Sequence, residues 1–398
     1  MSDVSPQIIK EVTYPWLAPR YCLGYGSGRF FQFLTSYASG TEIWMYSSDT
    51  GIAGSWVYDD SLNEPPDTNA PAGCAVIADA CWVLIDDPAD SYTLKLYTFY
   101  FATRVWALLS DSGISGTAAG TNMDIQLQSD GDLLVIYNTS PTQSYAVYDI
   151  SGNSWGSPVD IGHTVTRSFR DSSGLIHFWR GEGDPVELHH FVWSGGSEVL
   201  DETVWTAPAS ASPSVIDFTY PPIEAFGKVF IGFAHWATAS SSSQRPAVAY
   251  CDVGATTATS VVSVVDNSTQ PAPQGQFLLM VGGNLRCVWI QQSGDPIDGL
   301  TSIYYQEMGA GLTWGGTNIQ YYDYYNYSPQ PQSSYNLDHR FAGPMFCIEK
   351  TGFNEHDMAV TCNFSVDPEN GLDDMTAEFF IVLCPPTPGG EGCLYAGY

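Results

Sequence analysis

Residues 145–155 read Tyr-Ala-Val-Tyr-Asp-Ile-Ser-Gly-Asn-Ser-Trp: an alternating aromatic run, a Ser/Gly/Asn turn, and a tryptophan that opens the next run. Alternation with a period of two puts successive side chains on opposite faces of a strand. Asp, Ser, Gly and Asn favour the tight turns that join antiparallel strands. The same order recurs along the chain. Trp56, Trp106, Trp155, Trp205 and Trp314 stand 50, 49, 50 and 109 residues apart, and the last gap is two periods with one member missing. Near its midpoint lies Ser-Val-Val-Ser-Val-Val (residues 260–265), a β-branched run that would take the place of the Trp-bearing strand.

Working outward, each period holds three or four short strands and no helical periodicity. Examples are RFFQFLTSY (residues 29–37), LLVIY (133–137) and KVFIGFAHW (228–236). Four strands repeated every 40–50 residues predict an all-β chain folded as a single seven-bladed β-propeller, with six blades as the alternative. One domain is expected over 1–384, followed by a tail over 385–398. Blade bodies fall near 20–60, 73–110, 123–160, 166–206, 213–266, 274–320 and 341–384. The last has only three strands of its own. The isolated strand at residues 7–12, Gln-Ile-Ile-Lys-Glu-Val, is expected to complete it and so close the ring without leaving a free edge.

Two short motifs carry a resemblance. Tyr148-Asp149, followed by a turn and Trp155, resembles a kelch strand. Ser47-Ser48-Asp49-Thr50-Gly51 resembles the start of the Asp box of sialidase-type propellers, with Trp56 two residues later than that box places it. The resemblance implies the propeller fold; a fold by itself carries no function.

Composition sets the outer bounds. The 398 residues include 43 Asp+Glu against 13 Lys+Arg, a formal charge of −30, which repels phosphate and makes nucleic acid and anionic membranes poor partners. No apolar run approaches the ~18–20 residues of a membrane span. The start, MSDVSPQIIKEV, has no secretory signal, while the few lysines and many tyrosines suit the medium outside a cell. Nine cysteines leave at least one thiol unpaired. Cys384–Cys393 and Cys347–Cys362 are the disulfide candidates, with reduced, buried thiols expected for most of the rest.

Candidate sites are few. Tyr321, Tyr322, Tyr324, Tyr325, Tyr327 and Tyr335 crowd a long connection, and such a surface suits binding of a glycan or protein receptor. Asp367, Glu369, Asn370, Asp373 and Asp374 form the densest acidic loop, where Ca²⁺ is the cofactor to expect if there is one. Asp-Pro pairs at Asp87, Asp184 and Asp295 read mainly as turn starters. Of His177, His189 and His190, alternation lets at most one of the last two join His177, giving only two metal ligands. Arg29, Arg167, Arg170 and Arg286 lie near strand starts, but nothing marks them as the triad a sialidase needs for an anionic substrate.

No catalytic motif appears, so the expectation is a non-enzymatic recognition or structural protein. It would be a virion component, such as a phage capsid or tail appendage, binding a host receptor or decorating the particle in contact with other virion or surface proteins. The alternatives are a secreted glycan-binding lectin and, behind it, a sialidase-like glycoside hydrolase.

Overall fold

The computed structural model describes residues 7–13, 23–36, 42–49, 55–62, 74–77, 79–87, 93–116, 124–128, 131–139, 142–165, 167–183, 185–208, 222–236, 244–266, 274–281, 283–293, 300–316, 318–321, 340–341, 346–347, 358–365, 374–383 and 394–395. Among them there is no helix, and every regular element is a strand. The strands form antiparallel sheets, six of them built wholly from neighbours in sequence.

The first sheet takes Leu23–Gly26, Arg29–Ser36, Glu42–Ser48 and Val57–Leu62. The second takes Cys74–Ile77, Ala80–Asp87, Thr93–Tyr100 and Val105–Ser115. The third takes Asp124–Leu127, Leu133–Asn138, Gln143–Asp149, Ser154–Trp155 and Val159–Asp160. The fourth takes Arg167–Arg170, Ile176–Gly183, Val186–Ser194 and Ser197–Thr206. The fifth takes Ile223–Ala225, Lys228–Trp236, Gln244–Asp252 and Val261–Val264. The sixth takes Gln274–Val281, Asn284–Ser293, Leu300–Met308 and Asn318–Tyr321. The seventh gathers Arg340–Phe341, Phe346–Cys347, Met358–Ser365 and Asp374–Leu383 with two segments from the ends of the chain.

Those segments share one strand edge. Gln7–Thr13 pairs with Asp374–Leu383, Thr13 opposite Asp374 and Gln7 opposite Phe379. Leu394–Tyr395 pairs farther along the same strand, at Leu383 and Val382.

Hairpin turns hold the sheets together locally. Ser27-Gly28, Asn153, Phe226-Gly227 and Gly195-Gly196 take the positive φ that tight connections need. The central strands read as near-continuous buried runs because both of their faces are covered. Leu133 through Tyr137 and Val229 through Phe230 are buried throughout. Clusters between sheets make the core. Phe31 and Met45 of the first sheet pack with the second sheet and with Val135 and Tyr148 of the third. Phe178 and Trp193 of the fourth pack on Leu134 and Tyr145 of the third.

The tryptophans occupy unequal stations. Trp56 precedes the last strand of the first sheet, while Trp106 and Trp155 lie in the last strands of their hairpins. Trp205 sits at the far end of its strand, against Phe233 and His235 of the fifth sheet. Trp314 bridges Met308 and donates its indole N–H to Ser263 Oγ of the fifth sheet at 3.1 Å. The β-branched run at Ser260 to Val265 supplies the fourth strand of the fifth sheet.

Candidate metal centre

Alternation on the fourth sheet sorts its side chains onto two faces. Ile176, Phe178 and Phe191 turn to the third sheet, whereas Trp179 and Leu188 turn to the fifth. His177 and His190 share the second face and are fully buried. His189 points the other way, with Nε2 3.1 Å from Glu187 Oε2 at a partly exposed position. One of the two adjacent histidines therefore joins His177, as strand geometry requires.

The sequence reading counted two ligands here; the fold adds a third. Cys251, near the end of the fifth sheet's third strand, brings Sγ to 3.6 Å from His177 Nδ1 and 3.9 Å from His190 Nε2. The two nitrogens are 2.9 Å apart, with ring planes within 5°. Trp179 lies nearly parallel to both rings, its centroid 5.7 Å from His177 and 5.2 Å from His190.

Each imidazole is held from behind by a carboxylate. His177 Nε2 lies 3.2 Å from Asp171 Oδ2, and His190 Nδ1 lies 2.8 Å from Glu202 Oε1. Asp171 opens the turn to Leu175 and accepts from the backbone N–H groups of Ser173 (3.0 Å) and Leu175 (2.9 Å) and from the Ser173 hydroxyl (2.7 Å). Gly254 of the fifth sheet donates its N–H to the same carboxylate at 2.7 Å. Ser260, also of the fifth sheet, donates its hydroxyl to Glu202.

These contacts fix the charges. Burial pushes the Asp171 carboxyl up, but the hydrogen bonds from His177, Ser173 and Gly254 outweigh it and hold the group well below the usual carboxylate range. Glu202 is lowered in the same way: burial opposes, and His190 and Ser260 prevail. Burial lowers the pKa of His190 against the pull of Glu202. The Cys251 thiol is pushed up to about 12 by burial and by the nearby Glu202, Asp171 and Asp252 carboxylates.

Proton counting exposes the chemistry. With both carboxylates ionised, each outer imidazole nitrogen is the donor toward its carboxylate. The two inner nitrogens then face each other with lone pairs at 2.9 Å, an arrangement that a proton or a metal ion between them would satisfy. A point about 2.0 Å from both nitrogens falls about 2.1 Å from the sulfur, near the ~2.0–2.1 Å and ~2.3 Å of zinc-type bonds. Each ring need only pivot to aim its lone pair at that point. Cys251, His177 and Asp171 also stand in the order nucleophile, base, orienter. All three are buried, and burial pushes the Cys251 thiol up, away from the exposed, activated thiolate that a nucleophile needs.

The other sequence candidates fall elsewhere. Tyr321 ends a strand opposite Ser302, and Asp374 begins one opposite Thr13. Tyr322, Tyr324, Tyr325, Tyr327, Tyr335, Asp367, Glu369, Asn370, Asp373, Cys384 and Cys393 lie outside the described residues, as do the side chains of Cys347 and Cys362. Cys81, Cys251 and Cys287 are buried, and Cys251 and Cys287 are free thiols. Arg29 donates to Ser47 and Arg170 to Gln128, while Arg286 pairs with Glu307 over the Tyr305 ring. They serve separate sheets.

No family model and no curated protein matches the chain. Solved structures do. The β-propeller domain of the Trilobed protease from Pyrococcus furiosus is 8% identical over 91% of this chain and 95% of its own, with a TM-score of 0.46. The polysaccharide lyase Uly1 is 10% identical over 96% and 93%, with a TM-score of 0.48. A puromycin-hydrolyzing peptidase of Mycobacterium tuberculosis is 9% identical over 96% of this chain and 55% of its own, with a TM-score of 0.49. The likeness is one of fold, to propeller-containing proteins. These neighbours are named largely as enzymes, and none as a virion or receptor-binding protein. The expectation of a virion component binding a host receptor is thereby corrected: nothing among these likenesses points to such a role. No helix among the described residues is long and apolar enough to cross a membrane.

Proposed function

We propose that this chain is a seven-bladed β-propeller, its ring closed where Gln7–Thr13 completes the last blade, and that it is a metal-binding protein. One transition-metal ion sits between blades four and five on His177 Nδ1, His190 Nε2 and Cys251 Sγ. The carrying observation is the convergence of three donor atoms within 4.8 Å of one another, with a carboxylate behind each imidazole. Metal-bound histidines give their second nitrogen to such partners, which fix the tautomer and raise the ligand's basicity. A structural hydrogen-bond network needs no thiol at the junction of two imidazoles. Burial of all three donors makes the ion a clamp joining two blades.

Elemental analysis of purified chain after dialysis tests this. The expected result is about one ion per chain and less than a tenth of that in Cys251→Ser. Stripping the ion should lower the melting temperature by several degrees, since an ion bound only by the folded state stabilises it. A chain that takes up no transition metal and melts alike with and without chelator overturns the reading.

A further inference from the structure

On the reading that these three residues hold an ion, their arrangement bears on which ion. We propose that the centre is built for monovalent copper, held in a flat three-coordinate site by two imidazoles and one thiolate.

Donor number is the first ground. The group contributes three ligand atoms, and the nearest carboxylates, Asp171 and Glu202, are spent on the far nitrogens of the same histidines. Zinc takes four donors, and where protein supplies three, water fills the last place. A water would need two or more polar partners of its own. Here His177, His190 and Cys251 are at most 2% exposed, and the Trp179 indole lies along both rings. Asp171 already accepts from Ser173, Leu175 and Gly254, and Glu202 from Ser260. A dry three-donor site suits an ion content with three ligands.

Ligand chemistry is the second. Thiolate and imidazole suit monovalent copper and zinc alike, but a trigonal set of two histidines and one cysteine is a copper geometry. Parting the two nitrogens from 2.9 Å to about 3.5 Å gives equal angles around the ion with ~2.0 Å bonds, a half-ångström relaxation of two side chains. Binding needs no electron transfer. The ion replaces the thiol proton, which leaves to water, and any proton held between the imidazoles leaves with it.

The test loads metal-free chain, under anaerobic reducing conditions, with one equivalent each of Cu(I) and Zn(II) together. Elemental analysis after gel filtration and X-ray absorption at the copper edge give the readouts. The expected outcome is one copper per chain in at least tenfold excess over zinc, coordinated by two nitrogens and one sulfur. Cys251→Ser should lose at least nine-tenths of that copper, while Cys287→Ser, which removes a buried thiol of the sixth sheet, keeps it. If Cys251→Ser does not fold, the absorption spectrum of the unaltered chain still decides. Zinc retained over copper with four ligands overturns the copper assignment and leaves the metal centre standing. Uptake of neither ion at one equivalent overturns both.

Discussion

Two seams between sheets make opposite use of the same architecture. Between the first and second sheets, Phe31 lies flat on Phe101 at 4.1 Å and tilts against Phe99 at 6.0 Å, and within the second sheet Trp106 meets Phe99 edge-on at 5.3 Å. Between the fourth and fifth, the buried positions hold His177, His190 and Cys251 with carboxylates behind them. Hydrocarbon burial stabilises the first seam by about 1.5–3 kcal/mol per large side chain and tolerates small shifts. The second gains little net free energy from its polar pairs and fails if one partner is lost, because each remaining group is stranded away from water. Facing sheets can be packed with hydrocarbon alone. The polar seam is therefore the one whose composition answers to something other than packing.

Phe99→Ala should give the largest loss, about 3–5 kcal/mol in urea unfolding, since a fully buried ring leaves a cavity between three sheets. The cost should be the same with or without metal. A loss under about 1 kcal/mol would show that the aromatic seam closes up and is not what holds those sheets together.

Asp171→Ala should cost about 2–4 kcal/mol, by stranding the Gly254 and Leu175 N–H groups and the His177 nitrogen. It should also weaken metal uptake by about 10–100-fold, the usual effect of removing the support behind a ligand. Unlike the Phe99 effect, this loss should grow when metal is supplied to the unaltered chain. Equal losses in both conditions would erase the distinction between the seams.

The sequence made the aromatic seam legible and left most of the polar one hidden. Period-two alternation and turn residues mark strands locally, so RFFQFLTSY and KVFIGFAHW are found where expected, as Arg29–Ser36 and Lys228–Trp236. Alternation also sends His189 away from His190. Nothing local links Cys251 to the histidines, because it stands 74 residues from His177 and 61 from His190, on another sheet. Asp171 opens a local turn to Leu175, and its second task appears only when Gly254 arrives from the next sheet. The tryptophan spacing reveals the period but not each station, since Trp205 lies at the end of a long strand and faces the fifth sheet.

Gly26→Ala probes the fit of the aromatic seam rather than its burial. A Cβ there would stand 2.6 Å from the Phe101 ring and 2.9 Å from Asp79 Oδ1. Phe101 is buried and stacked on Phe31, so it has nowhere to yield. The expected cost is about 1–3 kcal/mol by overpacking, with metal uptake unchanged. A neutral result would mean that this seam is looser than its ring contacts imply.

His235→Gln should produce the smallest effect, and one visible only against pH. The ring lies 4.8 Å from Trp205, at the opposite end of the fourth-to-fifth seam from the metal centre, and opposite Arg245 in strand register. Burial, helped by the Arg245 charge, holds its pKa below the ordinary value of 6.5. The folded state thus prefers the neutral ring, while the unfolded chain takes up a proton near pH 6.5. Stability from this group is complete above that pH and declines as the pH falls toward the lowered folded value. A glutamine side chain cannot take that proton, so the variant should lose less stability than the unaltered chain between pH 8 and pH 5, by under about 1 kcal/mol after allowance for solvent screening. Groups common to both proteins cancel in the difference. Parallel pH profiles in urea would mean that the Trp205 end of the seam lets water in, and that only the His177–His190 end is dry.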